Sequence, residues 1–181
     1  KIKSTIQIMD KTNIDPKPRF SFTAKLMHWG FVLLFIYAVL KQIDELNQLE
    51  DVALLRFEVI FAGVFVLLLL IRFVYMKTTQ KSSLPDSTPK SQVLAAKFVH
   101  SGMYICLALI PLTGLLIGLL FWLGIKDGFL IDIAIGFHEL VVSVIYWLIG
   151  IHILAAVYHR LKRDGVWSSM VPLLKEVNNE K

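Results

Sequence analysis

Apolar positions in this chain neither alternate nor recur on a single face; they run on. Four stretches, Leu26–Leu40, Val52–Met76, Val93–Leu123 and Phe129–Val157, are hydrophobic almost throughout. Each approaches or exceeds the roughly 20 residues needed to cross a hydrocarbon core. Lipid offers no partner to an unpaired backbone group, so such runs predict helices. The first run is the shortest and relies on its flanks. The third is longer than a span requires, which predicts tilt or extension beyond the membrane. The expected fold is all-α: one four-transmembrane-helix bundle over residues 24–160, preceded by a polar arm (1–23) and followed by a short tail (161–181). Asp15-Pro16-Lys17-Pro18 breaks any helix in the arm. Pro85 and Pro89 mark the connection at 77–92, and shorter connections fall at 41–51 and 124–132.

Composition agrees with the pattern. Hydrophobic residues make up 56% of the 181 positions, against about 45–50% in soluble domains. Trp29, Tyr75, Trp122, Tyr158 and Trp167 lie near the ends of the runs, where aromatic side chains anchor at the interface. Trp147 falls mid-span and reads as core packing. The one cysteine, Cys106, reads as a small buried apolar side chain and excludes an internal disulfide. No signal-peptide core precedes Leu26, so the first span is expected to stay in the mature protein.

Charge sets the expected orientation. The N-terminal arm, the 77–92 connection with its flanks, and the C-terminal tail carry 16 of the 19 Lys and Arg residues; the other two connections carry only Lys41, Arg56 and Lys126 among acidic residues. Both termini are therefore expected in the cytoplasm. The net charge of +5 reflects this bias and anionic lipid. No basic stripe with interleaved aromatics appears, which speaks against a nucleic-acid partner. Glycines recur inside the runs, at Gly30, Gly63, Gly102, Gly114, Gly118, Gly136 and Gly150. They let another surface approach, either a neighbouring helix or a flat macrocycle. Pro111 is expected to kink the third helix.

The candidate chemistry lies in five histidines, His28, His100, His138, His152 and His159, all in or at the ends of the spans. Ionisable residues within a membrane are expensive and mark functional sites. His138 and His152 are fourteen residues apart, so their side chains project within about 40° of one helix face, separated by roughly 21 Å of rise. Such a stripe can hang two metal cofactors across a bilayer. Threaded through the membrane, His28, His100 and His152 sort toward the cytoplasmic side with His159 at that surface, and His138 lies toward the outside. A zinc site would add Cys, Asp or Glu in tetrahedral company, and the inner group has no acidic residue within its spans. Paired imidazoles beside glycines suit a flat bis-histidine haem instead. The bland alternative is a set of interhelical hydrogen bonds.

Four blocks in order carry a resemblance: Arg19-Phe20-Ser21 with Ala24-Lys25-x-x-His28-Trp29; His100-x-x-x-Tyr104 with Ile110-Pro111-Leu112-Thr113-Gly114; His138-Glu139 with Gly150-Ile151-His152; and His159-x-x-x-Arg163-Asp164-Gly165. From about Arg19 to Met170 the chain resembles the bacterial cytochrome b561 family, which includes the cytochrome b subunits of nickel-iron hydrogenases. The resemblance implies a multi-pass protein of the bacterial inner membrane that binds b-type haem through histidine pairs. Carried over, His28 and His152 are the iron ligands of the cytoplasmic-side haem, and His138 is the fourth-helix ligand of an outer haem. His159 and Lys25, with His100, lie toward the inner haem, where propionates or a quinone headgroup sit. Arg19, Arg72 and Arg160 are candidate propionate partners. One departure matters: where the family places the outer haem's second ligand on helix two, this chain has Glu58, and its second span holds no histidine. The outer haem is then lost, or five-coordinate on His138, or held by another residue, and Glu58 could meet His138 directly. One haem, on His28 and His152, is the expectation.

The expected function is that of a membrane b-type cytochrome passing electrons between the quinone pool and a redox partner. This makes the chain either a quinol-linked oxidoreductase or a haem-bearing anchor or conduit subunit of a larger respiratory complex. A homodimer is a further option for its partner. No acid–base dyad, phosphate loop or nucleophile constellation appears, so no bond-making chemistry is assigned to the chain itself.

Overall fold

The structure, a computed structural model, describes residues 20–42 and 46–174. Four long helices dominate: α1 (Phe22–Leu40), α2 (Val52–Thr79), α3 (Lys90–Trp122) and α4 (Phe129–Lys162), followed by the short α5 (Val166–Met170). There is no strand among the described residues. All four long helices are long and apolar enough to span a membrane. The prolines of the arm, Pro16 and Pro18, lie outside the described residues, as does Arg19.

The helix ends have local causes. The Ser21 side chain accepts from Ala24 N and starts α1 at Phe22, four residues before the apolar run begins. Ser21 is itself tied to α2, its hydroxyl 2.8 Å from the Tyr75 hydroxyl and its N–H donating to Gln80 Oε1. Asp51 caps α2 through the N–H groups of Ala53 and Leu54. α3 runs through Pro111 as one helix. α4 ends at Arg163, which adopts a left-handed conformation (φ 55°), and Gly165 (φ 85°) turns the chain into α5.

The bundle is built around α3. Its small residues admit the neighbours: a Cβ on Gly102 would lie 3.0 Å from Leu148 Cδ1 of α4, and one on Gly118 would lie 3.4 Å from Leu55 Cδ1 of α2. At these two positions the small residues admit a helix. At Gly30, Gly63, Gly136 and Gly150 an added Cβ meets nothing within 4 Å. Cys106, Val141, Ile145 and Leu148 form the α3–α4 seam; Phe31, Phe65 and Leu69 join α1 to α2. The backbones of α1 and α4 make little close approach to each other. At the end where α1 stops and α2 starts, here the far end, a 3₁₀ turn (Leu46–Glu50) brings Leu49 against Ile117, Phe121 and Ile131, and Lys126 pairs with Glu50 at 2.9 Å. Outside this core the helices present large apolar side chains outward, as lipid-facing helices do. Trp147 is among them. Its mid-span position predicts core packing, but it is 77% exposed and belongs to the lipid-facing surface. Cys106 is buried, as expected.

Candidate haem sites

α1 begins, α2 ends, α3 begins and α4 ends at one end of the bundle, here the near end. The order brings together one polar side chain from each helix: His28, Arg72, His100 and His152. The His28 and His152 rings face each other across the α1–α4 gap with centroids 6.3 Å apart and planes at 60°. The His100 ring meets His152 edge-on at 5.2 Å. Arg72 reaches in from α2, its guanidinium between the Phe31 and Tyr104 rings (5.3 and 5.7 Å), and its Nη2 lies 3.2 Å from His28 Nδ1.

The donor inventory fixes proton positions. A guanidinium only donates, so His28 Nδ1 accepts from Arg72 and the proton of the neutral ring sits on Nε2. His100 Nδ1 lies 2.7 Å from Ala96 O, so this nitrogen carries a proton and donates it to the carbonyl. Arg72 Nε is buried with no hydrogen-bond partner. A buried, unpaired donor on a charged group is costly and fits an anionic acceptor such as a carboxylate.

The remaining histidines are held apart from this cluster. His159, at the end of α4, donates from Nδ1 to Asp164 Oδ2 at 2.7 Å; the two side chains are only 13% and 9% exposed. Asp164 also accepts from Val166 N and so links α4 to α5. The partner lies five residues on, just past the helix end, where sequence spacing gives little warning of a contact. Lys25 is half-buried on α1, one turn before His28. The Arg160 guanidinium lies 5.0 Å over the Trp167 ring.

Far along α4, His138 Nδ1 is 2.7 Å from Thr113 Oγ1 of α3. Thr113 is the partner that sequence reasoning did not name, although a hydroxyl in the middle of an apolar run always needs one. Glu58 is half-buried on α2, with Lys41 as the charge acting on it. It forms no hydrogen bond or ion pair with His138.

Among the described residues no group of three His, Cys, Asp or Glu side chains gathers as a metal site would require. The near-end donor set is two facing imidazoles with a third beside them and a cation, which fits an iron porphyrin better than tetrahedral zinc.

A family model of prokaryotic cytochrome b561 matches residues 19–173. Comparison with curated proteins and with solved structures finds no match. The chain belongs to the prokaryotic cytochrome b561 family: it is a multi-pass membrane b-type cytochrome of electron transfer, and its cofactor is b-type haem.

Proposed function

We propose that this chain holds one haem b between His28 and His152 at the near end, that this end and both termini face the cytoplasm, and that the protein exchanges electrons between the quinone pool of the bacterial inner membrane and a redox partner. The observation that carries this reading is the His28–His152 pair. A transition metal binds an imidazole nitrogen at about 2 Å, and the ring centre lies about 1 Å behind that nitrogen, so two rings on one iron have centroids about 6 Å apart. The observed 6.3 Å agrees.

A haem held by His28 and His152 would supply one-electron redox chemistry. The chain's own residues do the rest. His28 can offer Nε2 only when its proton moves to Nδ1, and a protonated Nδ1 no longer accepts from Arg72. The guanidinium is thereby freed for a haem propionate, which also satisfies its orphaned Nε–H. His100 packs its ring against His152 and limits that ring's rotation. Lys25 and His159 flank the same end and suit the propionates or a quinone headgroup, with Asp164 fixing the His159 tautomer.

A second reading is favoured by the short far-end connections, which leave no room for a catalytic domain: the chain is a haem-bearing conduit in a larger complex, with a partner subunit or a second copy. The test for both is the reduced-minus-oxidised spectrum of purified protein with and without quinol. His28→Ala and His152→Ala each abolish the low-spin b-type band; a normal bis-histidine spectrum in both variants sinks the ligand assignment. Direct reduction by quinol supports the stand-alone reading, and reduction only in the presence of a co-purifying protein supports the conduit.

A further inference from the structure

α4 carries its core residues, Ile131, Ala134, Val141, Ile145 and Leu148, on one face. At about 100° per residue, Gly136, Ser143, Trp147 and Leu154 project within about 20° of the direction opposite Ile145, with Glu139 and Gly150 beside them. All six are exposed. This face differs from the other outward faces of the bundle. α2 turns Ile60, Leu67, Leu70 and Val74 outward, and α3 turns Leu112, Leu116 and Leu119. Large apolar side chains suit hydrocarbon; glycines, a hydroxyl and a carboxyl do not.

Glu139 is the costly member. It stands ten residues past Phe129, about 15 Å along α4 from its far end and inside a helix apolar enough to span. It makes no hydrogen bond or ion pair among the described residues. An ionisable group at that depth needs a partner. Ser143, one turn on, also makes no hydrogen bond among the described residues, unlike Thr113, whose hydroxyl bonds carbonyls of its own helix. Trp147, a further turn on, holds an indole N–H that is likewise unbonded there. Gly136 and Gly150 are not explained by packing inside the bundle either, because an added Cβ at each meets nothing within 4 Å.

The face thus offers an acceptor, Glu139, followed by two donors, Ser143 and Trp147, along one stripe. Such a set is complementary to itself. A second copy enters the membrane in the same orientation, and a two-fold axis along the membrane normal brings its donors to the first copy's carboxyl from the matching depth. Gly136, Ser143 and Gly150 recur at intervals of seven, the repeat that keeps one seam in register in a left-handed helix pair. Their small size lets two backbones close on each other. We infer that the outer face of α4 is a homodimer interface, in which Glu139 of each copy accepts a hydrogen bond from the partner's Ser143. This goes beyond the near-end haem reading and does not depend on it.

The test uses the full chain in liposomes, with the dimer fraction read by energy transfer between copies labelled at the N-terminus as the protein-to-lipid ratio rises. Gly136→Ile adds bulk that the single chain accommodates, and is expected to weaken dimerisation about 10-fold or more with the thermal melt unchanged. Gly63→Ile on α2, equally open in the single chain, leaves the dimer intact. Glu139→Leu removes two equivalent hydrogen bonds, each worth about 3-fold, and weakens the dimer about 10-fold; Glu139→Gln, which still accepts, retains it. In native membranes a short bismaleimide links Ser143→Cys into a species of twice the chain mass, and the parent chain, whose one cysteine is buried, gives the background. A monomer at every ratio overturns the inference, as does a dimer indifferent to Gly136→Ile and Glu139→Leu. A Ser143→Cys adduct with a different protein in place of the dimer overturns it too, and gives the face to that protein.

Discussion

The two halves of the bundle receive the same kind of side chain from the same helix and treat it in opposite ways. At the near end His152 meets two more imidazoles and a guanidinium, supplied by α1, α3 and α2. At the far end His138 meets the Thr113 hydroxyl and the Ile110 backbone. The near-end partner also fixes a tautomer: Arg72 can only donate, so it puts the proton of the neutral His28 ring on Nε2. One helix stripe therefore does not make two equivalent sites. What each histidine can bind is set by the neighbouring helices.

The comparison breaks most completely at His152, the ring common to both imidazole–imidazole contacts. Its replacement by alanine is expected to remove all of the low-spin absorbance. His28→Ala should do the same, whereas His100→Ala should keep the band with a small shift, because His100 packs on the pair without completing it; loss of the band in His100→Ala, with retention in His28→Ala, would move the ligand from α1 to α3. Next in size is Arg72. Arg72→Leu is expected to weaken haem binding by about 10-fold or more and to lower the midpoint potential, since a nearby cation favours the reduced, less positive centre; Arg72→Lys should recover most of the potential. Redox titration separates the two, and an unchanged potential in Arg72→Leu would remove Arg72 from the site.

Smaller effects come from packing. Gly102→Val drives a side chain into Leu148 two residues beyond His100. It is expected to cost about 1–3 kcal/mol of stability and to broaden the near-end band. Thermal melts followed at this band and by helix content would show whether the haem site loosens before the bundle does. The smallest effect is expected at the Lys126–Glu50 pair, which is exposed on both sides. Glu50→Gln should change stability by less than about 1 kcal/mol and leave the haem spectrum untouched.

Much of this was legible in the residues. The four helices follow from uninterrupted apolar runs, and the depth of each histidine follows from its place along its run. The helix starts were missed by a few residues at α1 because the cap, Ser21, lies outside the run it initiates. Trp147 was misread because a position along a span fixes depth but not direction, and direction depends on how the helices rotate against one another. The same limit hid Thr113: it stands in a recognisable Pro-Leu-Thr-Gly block, but nothing in one helix says which side chain of another it will face. Asp164 was within the quoted motif, yet its contact with His159 depends on the left-handed turns at Arg163 and Gly165.

The short α5 has a mechanical consequence. The Trp29 indole, stacked edge-on at 5.7 Å to the neighbouring His28 ring, donates to Met170 O at the last residue of α5, and Asp164 fastens the start of α5 to α4. The tail is thus strapped to both helices that supply the facing rings. A load applied beyond Met170, by a docked protein or a fused reporter, pulls on the strap and is felt as a change in the spacing of two imidazoles. A tag at that terminus is a lever, and the colour of the protein is its gauge.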